Sequence, residues 1–425
     1  MTALVTTRAD APRATGVFTR VGGGVIDQGV SSLTNLFVCV AAARVLSAGD
    51  FGVFSIALVL YVLALAIGRA CSGQPLVVRH TVGLEQEPHA IRAAAGTALG
   101  VGVFIGGAAV VGGALLGGEQ GAVLIVLGIG MPFLLLQDAY RFAFFACGKP
   151  ESAVVNDSLW FFGQVPLLLA AVHVGSSPAL FVAAWVSGAA LACVGGAVQI
   201  GAVPEVSCSA AWLRRHRDLI PSYGATFLFG AGTGQLTALA LAFTATVTAV
   251  GAYRGAWTLV GPIGVVLQGV AAVSTAEAAR TLGTHPSALP ELVDRLARLL
   301  FAVAAAATLV LAVLLPLGLG QALLGATWSG AKDVVLPLAL GHVGLALALA
   351  PAIALQAAER AGEVMRLRVG TSLAVVISGT LAGAVWGPWG MAVAFCVVSA
   401  LTVPLWWRSL SRLYAAESLV RRVAD

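Results

Sequence analysis

The sequence predicts an all-α polytopic membrane protein of about 12 transmembrane helices, arranged as two pseudo-repeated six-helix lobes. Three observations carry that expectation. Only 10% of the 425 residues are charged and 59% are hydrophobic, with a mean hydropathy of +0.94. A soluble domain carries about 25% charged residues, so this chain has too few charges to cover a water-facing surface. Apolar runs near the roughly 20 residues that cross a bilayer recur along the chain, and the basic residues fall between them in an alternating pattern.

Charge-free runs and turn signals place the spans at about 21–45, 51–71, 93–117, 122–147, 153–174, 178–200, 219–243, 247–275, 292–317, 334–355, 365–385 and 388–407. The long uncharged run at 158–204 divides at Gly175-Ser176-Ser177-Pro178, and the run at 369–407 divides at Gly387-Pro388; both are turn signatures. The organisation that follows is a tail at 1–20, a first lobe at 21–200, a linker at 201–218, a second lobe at 219–407 and a tail at 408–425.

The basic residues orient the chain. With the spans so placed, 21 of the 24 lie on one side and only Arg44 and Lys332 on the other. Both termini are therefore expected in the cytoplasm, in a multi-pass protein of the cell membrane. The remaining one, Arg254, falls inside the eighth span. The 6 cysteines are scattered singly without a CxxC, so no disulfide framework or metal site is implied. The arginine-bearing N-terminus lacks a short separate apolar core, so the first span is expected to serve as the targeting signal. No phosphate-loop signature, cofactor motif or nucleic-acid-binding pattern is present in the sequence, and no cofactor is expected.

The halves echo each other. "FGVFSIAL" at 51–58 aligns with "VGAYRGAW" at 250–257, pairing Gly52 with Gly251, Phe54 with Tyr253 and Ser55 with Arg254. "FFACGKPE" at 144–151 aligns likewise with "LQAAERAGE" at 355–363. Repeats of this kind place a substrate path at the interface between lobes.

Several segments resemble the polysaccharide flippase family of the multidrug/oligosaccharidyl-lipid/polysaccharide exporter superfamily. The clearest is "GVSSLTNLFVCVAAARVLSAGDFGVFSIAL" at 29–58, with its serine- and asparagine-bearing helix, the turn Ala43-Arg44-Val45-Leu46 and the opening Phe51-Gly52. "VGAYRGAWTLVGP" resembles the start of the family's eighth helix, and "LLGATWSGAKDVVLPLAL" at 323–340 its ninth-to-tenth connection. Ser47 stands where the family usually has glycine. The resemblance implies alternating-access export of a polyprenyl-diphosphate-linked oligosaccharide for surface polysaccharide biosynthesis. Its implied partners are that lipid-linked sugar, membrane lipids, and a polysaccharide polymerase or other assembly proteins.

Charges inside spans single out candidate site residues, because an arginine at a helix centre costs roughly 2.5–3.5 kcal/mol on insertion scales. Arg254 lies about seven residues, or roughly 10 Å, into its helix. One reading has it snorkel to the interface; the other has it face an aqueous cavity and grip a diphosphate through the guanidinium fork. Arg44 closes the first span, where it caps helix carbonyls or binds substrate. Arg69 and Arg79 read as positive-inside anchors. Asp138 and Arg141, spaced i,i+3, are expected to neutralise each other. Asp27 and Asp157 have no obvious local basic partner and are candidates for ion coupling, or for helix–helix hydrogen bonds. Asn35, Asn156, Gln235 and Gln268 are candidate sugar-hydroxyl partners, and Trp257 and Trp160 candidate stacking platforms, although polar residues also join helices and tryptophans also form interfacial belts. His173 and His342 lack ligand spacing and read as packing or interface residues.

Two other functions share this architecture or its setting. A multidrug or small-molecule cation exporter is the alternative within the same superfamily. A membrane-embedded glycan polymerase or ligase would need a sizeable external loop or an acidic cluster, and the sequence has neither; no enzymatic activity is expected.

Overall fold

The computed structural model describes residues 34–80, 88–174, 177–230 and 232–424. Every element among them is helical: α1 (Thr34–Val45), α2 (Ala48–Gly68), α3 (Gln74–His80), α4 (Pro88–Leu116), α5 (Gly118–Ala146), α6 (Pro150–Val174), α7 (Pro178–Ile200), α8 (Ser209–Arg215), α9 (Ile220–Leu228), α10 (Gly232–Thr244), α11 (Val247–Thr284), α12 (Leu289–Leu314), α13 (Gly320–Leu324), α14 (Trp328–Ala357) and α15 (Ala361–Ala424). Eight helical segments are long and apolar enough to cross a membrane by length and composition. Two of these contain a break, at Gly318 (φ 102°) and at Gly387 (φ 62°), and each holds two of the expected spans. The bent pair α9–α10 and the helix α1 match the remaining two.

Three expectations about the spans need correction. The second does not stop near residue 71: helix continues from α2 through a π-turn at Arg69–Gly73 into α3 and reaches His80. Close packing on α5 holds that turn, since a Cβ on Gly73 would sit 2.6 Å from the Phe142 ring. The seventh span is not straight. α9 and α10 meet at 63°, where Gly230 and Gly232 supply the poor helix formers that let a helix end. The eighth runs on to Thr284 rather than ending near 275.

Within the first half, α5 packs against α4 and α7, and α6 against α7; within the second, α14 packs against α11, α12 and α15, and α10 against α15. The halves meet chiefly where α2 crosses α11, and one contiguous apolar core runs through both. Glycine makes that crossing possible. A Cβ on Gly52 would collide with the Val247 carbonyl, and one on Gly251 would lie 2.7 Å from the Ala48 carbonyl and 3.0 Å from the Gly52 nitrogen. Gly52 and Gly251 are the pair equated by the internal repeat, and they sit against each other. Their repeat neighbours Phe54 and Tyr253 are both buried. At the same end of the molecule Gly325 (φ 52°) lies against the Arg44 backbone, and the Thr327 hydroxyl faces the Ala43 carbonyl at 3.4 Å.

The connection at 201–218 is pinned to the first half. Trp212 on α8 donates its indole N–H to the Cys71 carbonyl (2.9 Å), and its ring lies against both His80 (5.3 Å) and His216 (4.1 Å). The two imidazole Nε2 atoms are 3.2 Å apart and both rings are buried. Arg79 donates to the Arg215 carbonyl (3.0 Å) and pairs with Asp218, whose carboxyl it holds below the usual range.

Two predictions follow from these contacts. Gly52→Val should cost at least about 1–3 kcal/mol through overpacking, read as a lower unfolding temperature, while Gly107→Ala, where a Cβ meets nothing within 4 Å, should be neutral. Burial pushes the His216 imidazole below its ordinary value, helped by His80, Arg79 and Arg215 and opposed by the Trp212 carbonyl. The folded state therefore binds fewer protons than the unfolded one. The clamp is fully stable above about pH 6.5 and weakens as pH falls below it. Amide exchange in α8 should accelerate between pH 7.5 and 5.5 beyond the intrinsic pH effect.

Candidate functional site

The seam beside the glycine crossing carries Arg254. Thr246 caps α11 by accepting a hydrogen bond from the Ala249 amide (3.2 Å), so the helix starts sharply and carries Arg254 two turns inside the bundle. Val250 and Ala256 on either side are fully buried. The Arg254 side chain is half-buried and spans the seam: the Cys39 thiol on α1 lies within reach of the Arg254 guanidinium and the Thr258 hydroxyl. Thr258 donates to the Arg254 carbonyl (2.9 Å). The Arg254 Nε is buried without a hydrogen-bond partner, and no carboxylate among the described residues pairs with the guanidinium. Its repeat counterpart Ser55 is fully buried and donates to the Phe51 carbonyl (2.6 Å).

Exposure along α11 rises away from the crossing. On α11, Thr258 is buried, Gly261 and Val265 are half-buried and Gln268, about four turns from Arg254 and on nearly the same face, is exposed. Asn35 is one turn before Cys39 on α1 and exposed. Gln235 is on α10, beside the seam, with a buried Oε1 that lacks a hydrogen-bond partner. Trp257 turns into the second half, where its ring meets His342 (5.4 Å) and Phe395 (6.1 Å). Arg44 is exposed at the end of α1, and Asp27 lies outside the described residues. Arg254 and Cys39 thus form the centre of the seam, with Asn35 and Gln268 toward its open end, while Trp257 and Arg44 point elsewhere.

A second polar cluster is buried in the first half, and two expectations change there. Asp138 keeps the expected i,i+3 contact with Arg141 only at 4.0 Å, and its main partner is another arginine. Arg69, carried inward by the π-turn, grips it with both ends of its fork (Nε–Oδ2 2.9 Å, Nη2–Oδ1 2.7 Å), so Arg69 is more than an interfacial anchor. Arg141 stays 4.0 Å from Asp138 and sets its Nε 3.5 Å from Asp157, which therefore does have a basic neighbour. Gln137 donates to both Asn156 and Asp157 (3.0 Å each), and Asn156 donates to the Ala192 carbonyl (2.7 Å). The cations also lie over aromatic rings, Arg69 over Phe142 and Arg141 over Phe145. Two guanidinium groups and two carboxylates balance, so the cluster as a whole presents no net charge to a ligand. Trp160, one turn beyond Asn156 on α6, donates its indole N–H to the Trp185 carbonyl (3.0 Å). His342 is buried, as read from the sequence. Sequence reasoning missed Cys39 and the Arg69 fork; Gly73 and Pro75, ordinarily helix breakers, hid the helix that continues from residue 69 to 80.

No protein-family model and no curated protein matches the chain. Solved structures do. An inward-facing multidrug resistance MATE family transporter of the MOP superfamily aligns over 91% of this chain and 96% of its own, at 13% identity and a TM-score of 0.70. The lipid II flippase MurJ in an inward closed conformation aligns over 91% and 87%, at 12% identity and 0.71. The chain has the fold of the MOP superfamily transporters. An outward-facing MATE family transporter scores 0.56 over 93% and 96%, at 13% identity.

The paired cluster generates its own prediction. Removing one partner of a buried ion pair leaves the other charge uncompensated, at a cost of about 3–5 kcal/mol. Asp138→Ala should therefore lower the unfolding temperature of the purified protein markedly. Arg69→Lys, which keeps the charge but loses the fork, should lower it less.

Proposed function

We propose that this protein is an alternating-access flippase that moves a polyprenyl-diphosphate-linked oligosaccharide across the cytoplasmic membrane for surface polysaccharide biosynthesis. The observation that carries the reading is Arg254: a half-buried guanidinium at the seam, with an unpartnered Nε and no carboxylate partner among the described residues. A permanent cation held at that cost needs an anion, and a diphosphate offers oxygens that fit the fork. The first lobe (21–200) and the second (219–407) would rock about the glycine crossing, with both termini cytoplasmic and the lipid tail left in the bilayer. The resemblance of 29–58, 250–262 and 323–340 to polysaccharide flippases supports the same substrate class.

In this reading Arg254 binds the diphosphate, Asn35, Gln235 and Gln268 bind sugar hydroxyls as the head group passes, Trp257 lines the second lobe, and Arg44 meets the head group at the exit. Asp27 and Asp157 serve ion coupling; protonation of Asp157 would release Arg141 and so link the paired cluster to lobe movement. The protein acts as a transporter and not as an enzyme, and its partners are membrane lipids and the polymerase or assembly proteins that consume the product. The alternative, a multidrug cation exporter, has the fold in its favour, since a MATE family transporter shares it. The uncompensated positive charge on the path argues against a cationic cargo, which it would repel.

Flipping of a lipid-linked oligosaccharide in proteoliposomes should fall at least tenfold in Arg254→Ala and recover partly in Arg254→Lys. Undiminished flipping by Arg254→Ala would remove the phosphate role. Mass spectrometry of lipids co-purified with the wild type should show a diphosphate species that the alanine variant loses.

A further inference from the structure

The second half carries a cavity on the side of α14 turned away from α11. α12 ends at Leu314 in a π-turn that contains Pro316 and the left-handed Gly318, and the chain then folds through α13 before α14 begins. This detour leaves a wedge of about 520 Å³ between α12 and α14, within the roughly 300–1,000 Å³ of small-molecule sites. Leu311, Leu315 and Ala339 form its apolar walls, and Gln321, Trp328 and Lys332 bring the polar groups. The Trp328 indole lies flat against Gly320, where a Cβ would meet the ring at 2.6 Å, so glycine there sets the floor.

α14 sorts its two sides. Ala331 and Gly330 face α11 at Gly255 and Ala252, whereas Trp328, Lys332, Val335 and Ala339, at i, i+4, i+7 and i+11, line the wedge. The wedge opens onto a surface of exposed Leu309, Val310, Val313 and Leu336, the part of the protein that hydrocarbon chains cover.

Lys332 is out of place by every general rule. It lies near the N-terminus of its helix, where a cation opposes the macrodipole. It is on the side that has only one other basic residue. It has no ion pair among the described residues, although Asp333 is its neighbour, and the positions three and four away on its helix hold no acid.

We propose that the wedge is a binding site for an anionic phospholipid of the leaflet opposite the arginine-rich loops. One acyl chain lies along Leu311, Leu315 and Ala339, and the phosphate meets the Lys332 ammonium, with the Gln321 amide and the Trp328 indole N–H as further donors. The apolar walls select a chain, and the single unpaired cation selects an anion. A neutral lipid satisfies only the first, and a free phosphate only the second. The site is independent of what crosses at Arg254.

Native mass spectrometry of the purified full-length protein titrated with phosphatidylglycerol or phosphatidylcholine tests the site. The wild type should bind phosphatidylglycerol about fivefold more tightly than phosphatidylcholine, the scale of one basic residue at a membrane surface. Lys332→Gln should abolish that preference and Lys332→Arg should keep it. Ala312→Trp, which fills the wedge from an exposed position, should weaken both lipids. Unfolding temperatures near the wild type in all three variants would confirm that the fold is intact. Equal affinity of the wild type for the two lipids, or an unchanged preference in Lys332→Gln, would overturn the proposal. So would a dimer that lipid does not displace and Ala312→Trp disrupts, which would give the wedge to a second copy of the chain.

Discussion

The approach of α2 to α11 sets the geometry of the rest. Two helices carry side chains that normally hold their axes about 8–10 Å apart. Here the Val247 and Ala48 carbonyls occupy the space that Cβ atoms on Gly52 and Gly251 would need. The halves can touch backbone to backbone at this one level and diverge from it. The place of Arg254 follows: it is one turn below Gly251, close enough to the crossing to be half-buried and close enough to α1 to meet Cys39.

The protein deals with guanidinium groups in apolar surroundings in two opposite ways. Arg69 and Arg141 are neutralised by Asp138 and Asp157, stacked on phenylalanines and tied into Gln137 and Asn156. Such a cluster is rigid because every member compensates another, and the low dielectric that makes an unpaired charge costly makes these pairs hard to open. Arg254 has no such compensation, and its environment leaves it dependent on water or on an anion. The same contrast separates the clamped linker, where His80, Trp212, His216 and Arg79 lock α3 to α8, from Lys332, whose charge the fold leaves unpaired at the edge of the wedge.

The number of helices, their order and their two-sided charge pattern were legible in the sequence because the bilayer enforces them locally: each run of about 20 apolar residues must satisfy its own backbone and each loop carries its own charge. The turn at 387–388 was readable for the same reason, since Gly387 needs a positive φ that few other residues accept. The equivalence of Gly52 and Gly251 was also written in the sequence, as was the absence of any acid between Asp218 and Glu277 around Arg254. Only the tertiary structure decided who meets whom. Asp138 has Arg141 three residues away, yet Arg69, sixty-nine residues earlier, takes it, because a π-turn rotates that side chain toward α5 and a bidentate fork outcompetes a distant i,i+3 contact. The bend between α9 and α10, the inward turn of Trp257 and the meeting of Cys39 with Arg254 depend likewise on packing between segments far apart in the chain. Local pattern carries no record of such packing.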